Sequence, residues 1–212
     1  MKTILLTGFE PFANHAANPS ERIARQLDGQ ILDGHRVVGA TLACEFGKSL
    51  RQLRSLLKAH QPQLVICLGL AENRPDITPE RVAINVDDAR IPDNAGHQPT
   101  GRSIVRNGPV GYWSTLPIKS IVAALRAERI PASVSQTAGT FVCNHVFYGL
   151  MHELAQSRRR VRGGFIHVPL LATKARKQTG LTLQQLTNGI TLAIETSLRV
   201  RADLATAAGK EC

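Results

Sequence analysis

The sequence predicts a three-layer α/β/α sandwich around a mostly parallel, twisted sheet, formed by a single domain over residues 1–212. Short β-branched runs alternate along the chain with amphipathic helical patterns, which is typical of α/β folds. The run QLVICLGL at 63–70 is almost entirely apolar, as expected for a central parallel strand buried on both faces. A chain of 212 residues without repeats or low-complexity tracts suits one domain with a sizeable core.

The elements follow from local signals taken in chain order. The first strand is expected at 3–7. A helix should follow, because Asn18 suits an N-cap, Pro19 suits the first turn and Glu21 is an acid close behind; it would end near Leu27. The remaining elements are assigned by apolar periodicity. They are strands at 36–43, 63–70, 81–86, 133–136 and 164–168, and helices at 48–59, 117–129, 144–156 and 182–199.

The stretch at 87–109 contains three prolines and three glycines and shows no regular periodicity. We predict a long irregular excursion over one face of the domain. Irregular segments of this length inside a compact domain are often functional.

The net charge of +10 admits two interpretations. The strongest basic cluster lies at 158–162, and Lys174, Arg176 and Lys177 follow it. A solubilising face with cations near a helix C-terminus is one interpretation, and a nucleic-acid surface is the other. Aromatic residues make up only 4% of the chain and no nucleic-acid-binding motif is recognisable, so we favour the first and expect no nucleic-acid partner.

The sequence also predicts no membrane partner. No apolar run approaches the roughly 20 residues that a bilayer span needs. The start, MKTILLTG, has a basic residue and a short apolar run, but Glu10 ends that run and no small-residue cleavage site follows. We therefore interpret these residues as the first strand and expect a cytoplasmic protein.

Four scattered cysteines exclude a disulfide scaffold, and no C-x-x-C pair indicates a structural zinc site. Cys44 and Cys67 lie in apolar stretches and are expected to be inert core thiols. Cys212 ends the sequence and is expected to be exposed. Cys143 is therefore the remaining candidate for a reactive thiol.

Cys143 follows a predicted strand and a glycine-containing stretch, and a helical pattern begins right after it. A thiol at a helix N-terminus has its pKa lowered by the helix dipole, and the free N–H groups there can form an oxyanion hole. A cysteine nucleophile also needs a base. The alternative is an ordinary core cysteine.

The base and its orienting acid must come from elsewhere in the fold. His145 and His152 share the helix with Cys143, and we expect both to point away from the thiol. His167 lies near the end of an apolar strand, at the sheet edge where active sites gather. Glu80, at the start of a strand, is the candidate for orienting the imidazole. The alternatives are a hydrogen-bonded core histidine and a surface acid.

Six motifs together resemble the pyroglutamyl-peptidase I (pyrrolidone-carboxylate peptidase) family of cysteine peptidases. They are TGFEPF at 7–12, NPS at 18–20, ITPERVAIN at 77–85, DARIPDN at 88–94, SQTAGTFVCN at 135–144 and FIHVP at 165–169. The motifs occur in the family's order and span most of the chain. One departure is the pair Glu72-Asn73, where the family usually has small residues; it adds a charge on a loop near the expected site.

The resemblance implies a phosphorylase/hydrolase-like fold and hydrolysis of the amide bond after an N-terminal pyroglutamyl residue. Cys143 would be the nucleophile that forms a thioester acyl-enzyme, His167 the base and Glu80 the orienting acid. The resemblance implies no metal and no cofactor. It also implies that the substrates are peptides and that the chain assembles into a homotetramer.

A pyroglutamyl group is a neutral lactam, so its pocket needs an apolar slot, one donor and one acceptor. By resemblance, the apolar residues are Phe9, Phe12, Ile91, Phe141 and Val142. Asn18 would donate to the ring carbonyl, a main-chain carbonyl near Leu70 would accept the ring N–H, and Arg90 would stabilise charge on the reacting carbonyl. The alternatives are core packing for the phenylalanines and a helix cap for Asn18.

A competing hypothesis is a catalytically silent binding protein on the same scaffold, which would use the +10 charge to hold nucleic acid. All three triad positions and their flanking motifs are intact. This favours the enzyme.

Overall fold

The computed structural model describes residues 1–13, 16–172 and 180–209. The strands are β1 (Lys2–Phe9), β2 (Ile31–Leu32), β3 (His35–Leu42), β4 (Leu64–Leu70), β5 (Thr78–Pro79), β6 (Val82–Ile84), β7 (Gly111–Trp113) and β8 (Arg162–Val168). The helices are α1 (Pro19–Leu27), α2 (Lys48–His60), α3 (Ile118–Ala127), α4 (Val142–Gln156) and α5 (Leu183–Arg199). The predicted positions 174, 176, 177 and 212 lie outside the described residues.

The central sheet has six strands in the order β2-β3-β1-β4-β8-β5. The four middle strands, β3, β1, β4 and β8, run parallel, and the short edge strands β2 and β5 are antiparallel to their neighbours. Strands β6 and β7 form a separate antiparallel pair. The sheet is therefore mostly parallel, as predicted.

Helices cover both faces of this sheet. α1, α3 and α5 pack against one face, and α2 and α4 pack against the other. β4 shows the alternation clearly: Leu64, Ile66 and Leu68 face the first group of helices, whereas Val65 and Cys67 face the second. All its residues are buried. Helices on both faces confirm the predicted α/β/α sandwich. Parallel sheets occur almost only with both faces covered in this way.

The N-terminal signals of two helices act as their sequences predict. Asn18 is the N-cap of α1, and its side-chain Oδ1 accepts a hydrogen bond from the Ser20 backbone N–H at 3.1 Å. Thr182 and Gln185 form a reciprocal capping box at the start of α5. Both helices begin within a residue of the predicted position.

The strand predicted at 133–136 is wrong as a continuous element. The segment makes two isolated parallel bridges, Ala132 with Ile77 and Ser135 with Glu80. Between these bridges the partner residue that should donate the next ladder hydrogen bond is Pro79, which has no N–H. The pairing is therefore interrupted.

Three short strands, β2, β5 and β7, had no sequence prediction. β2 and β3 form a hairpin through Asp33 and Gly34, whose φ angles of 45° and 73° suit a two-residue hairpin turn. The Asp33-Gly34 pair between the two strands is the sequence signal for this hairpin. Within the described residues, no helix is both long and apolar enough to cross a membrane.

Long-range contacts hold the irregular segment at 87–109 in place. Its one bridge joins Asp87 and Arg102. The buried Asp93 carboxylate accepts hydrogen bonds from the backbone N–H groups of Phe46, Ala95 and His97 at 2.8–2.9 Å. The segment is therefore anchored on the loop that leads into α2.

The C-terminal segment also has a structural role. Asp203 accepts hydrogen bonds from the backbone N–H groups of Lys119 and Ser120, at 3.0 and 2.8 Å. These donors belong to the first turn of α3, whose own N-cap residue, Pro117, makes no side-chain cap. A residue more than eighty positions away therefore caps this helix.

Candidate active site

The carboxyl ends of β4 and β8 meet at one edge of the sheet. Gly69 on β4 is the register partner of His167 on β8, two residues beyond the pair Cys67–Phe165. Cys67 and Phe165 face α2 and α4. Because side chains alternate along a strand, His167 points toward the same layer, beside the start of α4.

Cys143 reaches this edge from the first turn of α4. The helix begins at Val142 with Phe141 as its N-cap, so Cys143 is its second residue and the first N–H groups have no acceptor within the helix. The thiol lies directly over Gly69, since a Cβ placed on Gly69 would be 2.9 Å from Cys143 Sγ. The same Cβ would be 2.8 Å from the Phe165 ring. The strand thus admits the thiol only because residue 69 has no side chain.

The electrostatic environment of Cys143 differs from the sequence expectation. Burial raises the pKa of the Cys143 thiol well above its usual range, and Cys44 and Glu80 add to this increase, while Arg74 lowers it. The helix N-terminus favours the thiolate, but desolvation outweighs it. The resting thiol therefore keeps its proton and requires a base to become a nucleophile.

Glu80 and His167 form a buried acid–imidazole pair. Glu80 Oε1 is 2.6 Å from His167 Nδ1, and the two residues are 0% and 4% exposed. The pair is held by the backbone: the Glu80 N–H donates to the Phe165 carbonyl at 2.9 Å, and Thr78 is the register partner of His167. The alternative of a surface acid at Glu80 is wrong, because β5 buries it against β8.

Arg74 is a further member of this cluster that the sequence analysis did not single out. Its Nη1 lies 2.6 Å from Glu80 Oε1 and its Nη2 donates to the Thr137 carbonyl at 2.8 Å. Within the described residues, the second Glu80 oxygen, Oε2, is buried without a hydrogen-bond partner. A lone arginine in a loop has no local pattern that marks it as a partner of Glu80.

The structure contains a second buried acid–histidine pair near Cys143. His145 Nδ1 is 2.8 Å from Asp87 Oδ2, and its Nε2 accepts a hydrogen bond from the Gly47 N–H at 3.0 Å. Both imidazole nitrogens are therefore occupied. Residues two apart on a helix also point in nearly opposite directions, so His145 is directed away from the thiol, as expected.

Three aromatic side chains cluster around Phe141, in the turn that precedes Cys143. The Phe141 ring lies 6.2 Å from Phe12 and 5.4 Å from Phe46, the second contact being edge-to-face. Phe12 and Phe141 are predicted pocket residues. Phe46 is not, because it comes from the irregular loop before α2.

The other predicted pocket residues lie in different settings. Phe9 and Val142, the first residue of α4, are 2% and 0% exposed. Both pack in the core between the sheet and the helices α2 and α4. Asn18 caps α1 and also donates from Nδ2 to the Glu10 carbonyl at 3.2 Å. Leu70 is the buried last residue of β4, at the catalytic edge.

Arg90 and Ile91 are exposed and lie on the irregular segment. This segment contacts the turn that precedes Cys143. The contact is made by Asp88, whose N–H donates to the Thr140 carbonyl at 3.0 Å. The Thr140 hydroxyl donates back to the Asp88 carbonyl at 2.6 Å. Arg90 therefore lies two residues along the chain from Asp88, which is hydrogen-bonded to Thr140 in the turn before Cys143.

Cys143 is partly exposed, whereas the other described thiols are not. Cys44 and Cys67 are buried, and desolvation raises the pKa of each to about 12. Within residues 1–13, 16–172 and 180–209, no group of three or more His, Cys, Asp or Glu side chains is arranged to hold a metal ion.

Comparison with known proteins places this site in a family. The sequence model of the family described as pyroglutamyl peptidase matches residues 2–200. A pyrrolidone-carboxylate peptidase of Bacillus cytotoxicus is 51% identical over 212 residues, which cover 99% of each chain. The pyroglutamyl peptidase I of Bacillus amyloliquefaciens superposes with a TM-score of 0.93 at 45% identity, over 97% of this chain and 99% of that one. The pyrrolidone carboxyl peptidase of Thermococcus litoralis gives 0.92 at 35% identity, over 98% and 100%. Matches of this identity and coverage show that the chain belongs to the pyroglutamyl peptidase family of cysteine peptidases.

Proposed function

We propose that this chain hydrolyses the amide bond after an N-terminal pyroglutamyl residue of peptides, with Cys143 as nucleophile, His167 as general base and acid, and Glu80 as the acid that orients the imidazole. The observation that supports this most is the Glu80–His167 hydrogen bond of 2.6 Å, buried beside the thiol at the carboxyl edge of the sheet. This pair supplies the acid and base of the proposed triad, which is defined by spatial arrangement and roles.

In the first step, His167 takes the thiol proton and Cys143 Sγ attacks the pyroglutamyl carbonyl carbon. The resulting oxyanion is stabilised by the free N–H groups in the first turn of α4, with Arg90 as a further cation. The intermediate collapses when His167 gives its proton to the leaving amine. The products are the shortened peptide and a thioester between Sγ and the pyroglutamyl group.

In the second step, His167 takes a proton from water, and the hydroxide attacks the thioester carbonyl. Collapse expels the Cys143 sulfur, which regains its proton from His167, and free pyroglutamate leaves. Glu80 keeps Nδ1 of His167 protonated, so that Nε2 is the proton acceptor, and it stabilises the imidazolium that forms. The raised pKa of the buried thiol makes this proton transfer necessary for attack.

The neutral lactam ring requires an apolar slot, for which the cluster of Phe12, Phe46 and Phe141 is well suited. We assign Phe9, Ile91 and Val142 a supporting role in shaping it. Asn18 has two amide hydrogens; one bonds the Glu10 carbonyl, and we assign the other to the ring carbonyl. The main-chain carbonyl near Leu70 would accept the ring N–H.

We further propose that the chain acts as one catalytic domain in the cytoplasm and assembles into a homotetramer. Resemblance to the family supports the assembly, and the exposed apolar side chains of Val110 and Trp113, at 88% and 68% exposure, would be covered in it. Light scattering coupled to size exclusion would measure the mass. A monomer at micromolar concentration would contradict the tetramer.

The function is tested by release of a chromophore from a pyroglutamyl amide, with a prolyl amide as the substrate control. Wild type should cleave the first and not the second. Cys143→Ala and Cys143→Ser should lose turnover with unchanged thermal unfolding. The matched control is Cys67→Ala, which removes a neighbouring core thiol and should keep kcat. Cys143→Ala activity within about tenfold of wild type, or roughly 1.4 kcal/mol of barrier, would exclude Cys143 as the nucleophile.

A further inference from the structure

We propose that Arg74 is a positioning residue of this site, which holds Glu80 as a carboxylate against His167 and thereby sets the pH range in which the enzyme works. The inference rests on the roles proposed above for Glu80, His167 and Cys143. It adds a fourth member to the hydrogen-bonded cluster.

Arg74 joins three parts of the site through one guanidinium. Nη1 contacts Glu80 Oε1 at 2.6 Å and the Thr78 hydroxyl at 2.8 Å, and Nη2 donates to the Thr137 carbonyl at 2.8 Å. Glu80 Oε1 is therefore shared between Arg74 and the His167 imidazole. Thr137 belongs to the segment that leads into Cys143. The Arg74 side chain therefore also connects Glu80 to the turn before Cys143.

The charge balance explains why the site needs this arginine. Glu80 is 0% exposed, and a buried carboxylate without a cation is strongly disfavoured. His167 must be neutral while it waits to accept the thiol proton, so it cannot supply that positive charge. Guanidinium is protonated at every relevant pH. Among the described residues, Arg74 is the lysine or arginine that forms an ion pair with Glu80.

Arg74 is also placed to influence the nucleophile. Its charge lowers the pKa of the Cys143 thiol, against the larger opposing effect of burial. The groups that interact electrostatically with the thiol are Cys44 before α2, Cys67 on β4, Arg74 after β4 and Glu80 after β5. Of these four groups, Arg74 alone is positive. Its removal should therefore raise the pKa of the Cys143 thiol further.

The expected signature is a shift of the pH profile. Removing a fixed positive charge that contacts the buried acid and lies near the thiol favours the protonated, inactive form of the site as a whole. An adjacent arginine typically displaces a carboxyl pKa by one unit or more, so we expect the acid limb of kcat/KM to move up by about 1 pH unit. This gives roughly a tenfold loss on the acid side of the limb and little loss above it.

The experiment compares Arg74→Met, Arg74→Lys and the matched control Arg81→Met. Arg81 lies next to Glu80 in sequence and binds the same neighbouring segment, through Gln136 Oε1 and the Ala208 carbonyl at 2.7 Å each. Neither of these partners is charged. Each variant is assayed for kcat and KM on a pyroglutamyl amide across pH, and the folded state is checked by thermal unfolding.

We expect Arg74→Met to shift the acid limb by about 1 pH unit with KM nearly unchanged, and Arg74→Lys and Arg81→Met to stay within about 0.3 unit of wild type. A limb that moves equally in Arg74→Met and Arg81→Met would overturn the proposal, as would a limb that does not move. If Arg74→Met does not fold, Arg74→Gln removes the same charge and takes its place.

A second readout separates this proposal from the proposed function. The rate of iodoacetamide alkylation at Cys143 is measured against pH in a Cys212→Ser background, with no substrate present. Arg74→Met should move this profile to higher pH as well, and an unmoved profile would contradict the role of Arg74. Absence of pyroglutamyl amide cleavage by wild type would instead refute the proposed function and leave the alkylation result interpretable.

Discussion

The substitution Gly69→Ala tests the contact between the β4 strand and the thiol. The added Cβ would lie 2.9 Å from Cys143 Sγ and 2.8 Å from the Phe165 ring, whereas ordinary contact begins at 3.4 Å. To reach ordinary contact with this Cβ, the thiol must retreat by about 0.5 Å and the ring by about 0.6 Å. Gly69 does not have a positive φ angle, so the effect is steric and backbone strain does not contribute.

The size of the loss follows from this displacement. A misplacement of about 1 Å at a reacting group can reduce the rate by about a hundredfold, so about half that distance should reduce kcat by roughly tenfold. Overpacking should also destabilise the fold by about 1–3 kcal/mol. The slower step is attack by the displaced sulfur, so KM should change less than kcat.

The matched control is Gly164→Ala on β8. Its Cβ would crowd Ser114 Oγ and the Leu116 side chain at 2.4 and 2.8 Å, on the sheet face opposite the thiol. Both variants should lose stability in urea unfolding, but only Gly69→Ala should lose kcat on the pyroglutamyl amide and react more slowly with iodoacetamide. If Gly69→Ala kept kcat within twofold, or if Gly164→Ala lost as much, the inferred packing of the thiol on Gly69 would be wrong.

Four other predictions concern the same site and one helix cap. Glu80→Gln should lower kcat less than His167→Ala does, with KM little changed, because Gln keeps the hydrogen bond but not the charge; a rise in KM alone would make Glu80 a substrate-binding group. Dialysis against EDTA should leave the rate unchanged, and a loss restored by zinc would contradict the triad. A thiol reagent at pH near 8 should spare Cys44 and Cys67 in peptide mapping, because their pKa is about 12. Asp203→Asn should destabilise the fold by about 1 kcal/mol in urea. Burial raises the pKa of Asp203, but hydrogen bonds from Lys119 and Ser120 lower it overall, so the difference should shrink as pH falls below 3.8.

Much of the fold could be predicted because its signals are local. Apolar periodicity located α2, α3, α4 and α5 and the parallel strands β3, β4 and β8, since burial on one face imposes a repeat within a single element. The N-cap at Asn18 was visible for the same reason, because a cap and its donors lie within three residues. The strand predicted at 133–136 failed because its continuity depends on the partner residue Pro79, which is distant in sequence.

The candidate site divides in the same way. The sequence motifs singled out Cys143, His167 and Glu80, whereas the structure decided what surrounds them. Only the packed fold brings Glu80 to His167, 87 residues away, and aligns Arg74 with Thr137, 63 residues away. The sequence predicted a lowered pKa for Cys143 from its helix position, but the fold desolvates the thiol and raises its pKa. The physical reason is that propensity and periodicity act between near neighbours, whereas desolvation and ion pairing depend on which distant segments close over a group.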